Sequence, residues 1–243
     1  MKNHWYESFG KLGKLNTNLT SGRYSWMNNK YNFIIKDIKL KLNLNSNDYL
    51  LDIGCGNAKI IDQLSKYVKK SSAIDHPDII SSLSKKKRIK YYKGDIFKDY
   101  NKINQKFSKI LIYSLIHYLK DKKELFKLIN ICMKKLKPEG ILMIGDIPNY
   151  NKKLRFKKLK VFNKITKQWN KIHSTKKFLK EKKFIDQVIK DKPVPVIKIS
   201  DGLISEIYKK YTNDKQEVYI LEQSEKLIFN YSRIDLIIKK YCD

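Results

Sequence analysis

Three aspartates stand at the ends of short apolar segments, where a carboxylate can meet a ligand. Asp52 closes the apolar part of "YLLDIGCGNAKI" (49–60), Asp75 closes "SSAID" (71–75), and Asp95 stands in "YYKGDIF" (91–97). Gly54 and Gly56 follow Asp52 directly, around Cys55. Such glycines let a backbone turn tightly and let a ligand approach closely. Asp75 lies 21 residues after Gly54, the distance at which an acid can take both hydroxyls of a ribose. An acid at Asp95 can accept from an adenine amino group. Aspartates are also ordinary turn formers, but three of them ending three successive segments is a poor fit to turn chemistry alone.

The elements that must position these acids alternate. "YLLDI" (49–53), "SSAID" (71–75), "IKYYKGD" (89–95), "KILIYSL" (109–115) and "ILMIGD" (141–146) read as strands. Between them, "AKIIDQLSKYV" (58–68), "PDIISSLSK" (77–85) and "DKKELFKLINICMKKLK" (121–137) carry apolar residues at helical spacing. The continuous apolar run of 109–115 suits a strand covered on both faces. Alternation of this kind predicts an α/β fold, a mostly parallel sheet with helices on both faces. In such a sheet, ligands bind beyond the carboxyl ends of the strands. "DGLISEIYKKY" (201–211) reads as a helix, and "QEVYILEQ" (216–223) and "SRIDLIIKKY" (232–241) as a final strand pair. Residues 1–48 read as helical at "NKYNFIIKDIKLKLNL" (29–44) and otherwise as loop.

The glycine turn does not fit every nucleotide. The dinucleotide pattern G-x-G-x-x-G needs a glycine at position 59, where the chain has Lys59. No G-K-[ST] follows, so a phosphate loop is excluded. S-adenosylmethionine has no pyrophosphate. It carries a cationic sulfonium and an amino-acid end, which an acid just before the glycines suits. "LLDIGCGNAKI", "AIDHP", "YYKGDIF", "ILIYSLIHYL" and "LKPEGILMIGD" stand in the order and spacing of class I S-adenosylmethionine-dependent methyltransferases, and the chain resembles that family from about Tyr49 to Asp146.

The resemblance implies a Rossmann-like sheet of seven strands with the last antiparallel, a helical N-terminal cap over 1–48 and a helical insert after strand five. It implies S-adenosylmethionine as cofactor and S-adenosylhomocysteine as product. Carried over, Asp52, Gly54, Cys55 and Gly56 hold the methionine end and Asp75 the ribose, with His76 over the nucleoside. Asp95 and Ile96 hold the adenine, and Ser114 and Tyr24 complete the cofactor site. Ala58 departs from the family, where a further glycine is common; its small size is expected to do little harm.

The acceptor must be found beyond strand four. The N-P-P-Y type motif of adenine amino-methylating enzymes is absent, and the cysteine of cytosine C5 enzymes is absent, which favours an oxygen acceptor. An alcohol needs its proton removed as it attacks. His117 falls just past strand four and is the first candidate base, with His173 second. The lysine-rich, aromatic insert of 148–200 is expected to bind the acceptor, with Arg155, Trp169 and Asp146 as substrate residues. "IGDIPN", the basic insert and "YSRIDLIIKK" are similar, more loosely, to methyltransferases of bacterial surface-polysaccharide (capsule) clusters. That likeness implies an anionic sugar, a sugar nucleotide or a phosphorylated compound as acceptor.

Composition bounds the rest. The chain has 243 residues, enough for one domain with a real core, and no linker divides it. Its three cysteines, Cys55, Cys132 and Cys242, are scattered, which excludes a disulfide framework and suggests no metal site. No run is long enough to span a bilayer and the N-terminus lacks a signal-peptide core, so a cytoplasmic protein is expected. The formal charge is +29, but only Arg23, Arg88, Arg155 and Arg233 of 53 basic residues are arginines. Nucleic-acid surfaces favour arginine's fork, so an RNA-modifying enzyme is the alternative and a lysine coat the simpler reading. A partner subunit without activity is a third reading, which the intact motif set opposes.

Overall fold

The computed structural model describes residues 4–188 and 196–241. Cys242 and residues 189–195 of the insert lie outside the described residues. Seven strands form one sheet in the order β3-β2-β1-β4-β5-β7-β6: β1 (Tyr49–Ile53), β2 (Lys70–Asp75), β3 (Ile89–Lys93), β4 (Phe107–Tyr113), β5 (Leu136–Pro148), β6 (Gln216–Glu222) and β7 (Arg233–Lys240). The first five pair in parallel, and β7 runs antiparallel to both β5 and β6. Strand order reverses between β1 and β4, which opens a crevice at their carboxyl ends.

Both faces of the sheet are covered, as the unbroken apolar strands require. One face packs on α6 (Lys122–Lys135) and α10 (Asp201–Tyr211), through Leu125, Leu128, Ile129, Leu203, Ile204 and Ile207 against Leu51, Ile53, Ile110, Ile112 and Ile144. The other packs on α2 (Tyr31–Lys41), α3 (Lys59–Leu64) and α4 (Pro77–Ser82), through Ile34, Ile38, Ile61, Leu64 and Ile80 against Leu50, Leu111 and Met143. Leu50 and Leu51 enter opposite clusters, the two-residue alternation of a strand.

Two stretches differ from the sequence reading. Residues 4–15, read as loop, form α1 (His4–Leu15). Gly10 and Gly13 lower its helix propensity but are needed for packing. A Cβ on Gly10 would collide with the His76 ring, and one on Gly13 would lie 2.9 Å from Ile79 of α4. The insert, expected only as helical, divides among the described residues into three helices: α7 (Tyr150–Lys157), α8 (Val161–His173) and α9 (Lys176–Val188). The chain turns between the first two at residues 158–160, where Leu159 faces solvent. Among the described residues, no helix is long and apolar enough to cross a membrane.

Candidate active site

The ends of β1, β2 and β3 deliver the three aspartates to one cavity of about 1070 Å³, its open mouth included, lined by Asp52, Asp75, Asp95, Gly54, Cys55 and Ile96. Gly54 turns the chain at φ +77°, in the left-handed region that favours glycine. Ala58 also sits there, at φ +56°, so its departure from glycine costs conformation and not space. Asp75 accepts from the Gly56 amide (2.7 Å) and the His76 amide (2.6 Å), which ties the glycine loop to β2. Burial raises its pKa against those two bonds. Asp95 caps α5 (Ile96–Asp99) through Phe97 N at 2.9 Å. Asp52 is buried and its carboxyl makes no hydrogen bond among the described residues. Burial, then the charge of Asp75, push its pKa up to about 8, against a lowering by Arg23.

The roof of this cavity is the N-terminal segment. Trp5, Tyr6 and Phe9 of α1 and Thr20, Ser21 and Arg23 line it. Asn57 of the glycine loop donates to the Asn18 carbonyl and the Ser21 hydroxyl, both at 3.2 Å. The rings of Trp5 and Phe9 pack on Tyr118 at 5.3 and 5.0 Å.

A second cavity, about 630 Å³ with its mouth, opens beyond β4 and β5. Arg23, Tyr113, Ser114 and Tyr118 line both, so the two cavities share a wall. Asp146 lies in this second cavity at φ +58°, where the register of β5 against β7 shifts between Ile144 and Ile147. Its carboxylate contacts Arg23 at 3.4 Å, Arg233 at 3.6 Å and the Ser114 hydroxyl. Burial would raise its pKa, but Arg233, Arg23 and the Ser114 bond outweigh that and hold it low. Its amide donates to Asp235 at 2.7 Å, and Asp235 in turn pairs with Lys41 at 2.5 Å. His117 lines the same cavity, with a shielded Nδ1 that has no partner among the described residues. Burial and the neighbouring Arg233 push its pKa down to about 4, so the imidazole is neutral.

Residues 51–144 match the model of a methyltransferase domain. Similar solved structures support the same fold. N-methyltransferase NodS from Bradyrhizobium japonicum WM9, in complex with S-adenosylhomocysteine, has a TM-score of 0.61 at 13% identity, covering 98% of both chains. The plantazolicin methyltransferase BamL has a TM-score of 0.64 at 13% identity, covering 98% of this chain and 96% of that one. Phosphoethanolamine N-methyltransferase 1 of Haemonchus contortus has a TM-score of 0.65 at 14% identity, covering all of this chain and 50% of that one. No curated protein matches the sequence.

The cofactor that fits the methyltransferase domain is S-adenosylmethionine. The fit is visible in Asp52, a buried acid on a cavity wall whose carboxyl has no hydrogen bond among the described residues, and which a cationic ligand would stabilise as carboxylate.

The structure brings some of the expected site residues to the cavities and leaves others away from them. His76 does not line the cavity: its Nδ1 caps α4 through Asp78 N at 3.1 Å and its ring packs on Tyr6. Tyr24 turns away to Phe178 of α9, with ring centroids 4.6 Å apart. His173 is exposed and stacks on the same Phe178, outside both cavities. Arg155 is on the surface, paired with Asp201. Trp169 lines neither cavity but backs Phe229, a wall of the second, at 6.0 Å. Ser114 stands between the cavities. Sequence reasoning missed Arg23, Arg233, Tyr118 and Phe229. Arginine itself was a usable signal for two of them: in a chain this rich in lysine, an arginine marks a place that needs a planar fork.

Proposed function

We propose that the chain is an S-adenosylmethionine-dependent methyltransferase that methylates an oxygen of a small anionic acceptor, of the carbohydrate class used in bacterial surface-polysaccharide (capsule) assembly. The observation that carries this reading is the second cavity, whose wall offers Arg23, Lys30 and Arg233 against the single carboxylate of Asp146. A surplus of buried positive charge favours an anion and repels an ammonium acceptor. The cavity's size suits a small molecule. Most of the lysine coat lies outside it, which speaks against RNA as the acceptor.

When bound, S-adenosylmethionine supplies a methyl group already activated on a cationic sulfur. Asp52, Asp75, Asp95 and Ile96 hold it under the roof of α1. Ser114 and Asp146 fix Arg23 and Arg233, which orient the acceptor's anionic group. His117 takes the hydroxyl proton at its neutral imidazole. A base this weak suffices because an alcohol oxygen becomes strongly acidic as it gains the methyl. Burial of both reactants excludes water.

Methyl transfer to a panel of phosphorylated sugars and nucleotide sugars tests the reading. Arg233→Ala should raise the acceptor KM by ~10–100-fold, the loss of one charged hydrogen bond. Arg155→Ala should leave it unchanged. The reverse order would move the acceptor site back to the insert.

A further inference from the structure

The turn between α7 and α8 leaves aliphatic side chains in water without a structural reason. Its anchor is Phe156, which is buried, stacks on Tyr231 at 3.9 Å and meets Phe162 edge-on at 5.4 Å. Leu159 and Val161 take no part in that anchor; they are 56% and 46% exposed, and Leu154 one turn earlier is also exposed. Lys153, Lys157, Lys158, Lys160 and Lys164 surround them, all exposed. None of these lysines makes an ion pair among the described residues. The whole stretch 150–188 holds fourteen basic residues against Glu181 and Asp186 alone.

We propose that this turn docks the protein on an anionic lipid surface, with Leu154, Leu159 and Val161 entering the headgroup layer and the lysines pairing with lipid charge. The chemistry separates this occupant from a nucleic acid. Phosphate-backbone binding uses the cations and gains nothing from exposed aliphatic side chains, whereas an interface of headgroups and acyl chains rewards both. Lysine also suits the role, because its long stem reaches headgroups while the ammonium stays hydrated. The proposal is independent of the methyl-transfer reading.

The test is co-sedimentation of the full chain with vesicles of phosphatidylglycerol and phosphatidylcholine, beside vesicles of phosphatidylcholine alone and a fluorescent RNA oligomer. Binding to the anionic vesicles is expected, weakening as salt rises. The triple variant K157E/K158E/K160E should weaken it by at least ~100-fold, from roughly a fivefold loss per lysine removed from the surface. Leu159→Ser with Val161→Ser should weaken vesicle binding several-fold at unchanged charge and leave RNA binding as it was. Thermal melting of each variant checks folding, and the salt series needs no variant. Absence of binding to anionic vesicles at low salt overturns the proposal. So does vesicle binding indifferent to the serine pair, or RNA bound more tightly than the vesicles.

Discussion

The Arg23 guanidinium donates to the Ser114 hydroxyl across 2.6 Å, joining the N-terminal cap to the end of β4. Arg23 also reaches Asp146 of β5, and it lies on the wall between the two cavities. It therefore links the roof of the first cavity to the wall of the second. Arg23→Ala should lower kcat/KM by ~10–100-fold, as expected for a lost charged bond, and weaken S-adenosylmethionine as well as the acceptor. Arg23→Lys should recover only part, since an ammonium lacks the fork that meets Ser114 and Asp146 together. Steady-state kinetics varying each ligand in turn checks this. An effect on the acceptor alone would show that the roof closes without Arg23.

His117 titrates in an unusual range. Its ordinary pKa of 6.5 falls to about 4. With His117 as the proposed base, the neutral ring is the active form, so turnover should hold as pH drops through 6.5 and fail only as it approaches 4. His117→Ala should lower kcat by at least ~10²-fold, remove that acid limb, and leave cofactor affinity unchanged. The measurement is the pH profile of kcat for both proteins. A limb at 6.5 in the wild type would mean that another group is the base.

Asp52 couples cofactor binding to protons. With its pKa raised from 3.8 to about 8, it is protonated at neutral pH in the free protein. The folded state then holds a proton that the unfolded chain has lost, so stability declines as pH rises between those two values. A cationic ligand favours the carboxylate. Binding at pH 7 should release a proton, and affinity should rise with pH up to about 8. Calorimetry in two buffers of different ionisation enthalpy reads the proton directly. Asp52→Asn should remove both effects, and a pH-independent affinity in the wild type would contradict the account.

The sheet was legible because its parallel strands are covered on both faces and so appear as unbroken apolar runs between helical periods. That three aspartates meet at one cavity was legible for a related reason: each stands at a strand end, and strand ends are readable. The roof was not. Gly10 and Gly13 hide α1 from propensity while permitting its approach to His76 and Ile79. The second cavity was least legible, because it joins residues as distant as Arg23, Asp146 and Arg233. Their attraction follows from the fold and leaves no local pattern. Arg155 misled for the opposite reason, sitting in a conspicuously basic segment that points to solvent and pairs with Asp201.

Binding of S-adenosylmethionine to the full chain, measured by calorimetry beside NAD, tests the central claim most directly. The wild type should bind S-adenosylmethionine and ignore NAD. Asp75→Ala removes the acceptor of the Gly56 and His76 amides and the acid offered to the ribose, and should weaken affinity by ~1–3 kcal/mol. A wild-type protein that binds NAD and not S-adenosylmethionine would contradict the account.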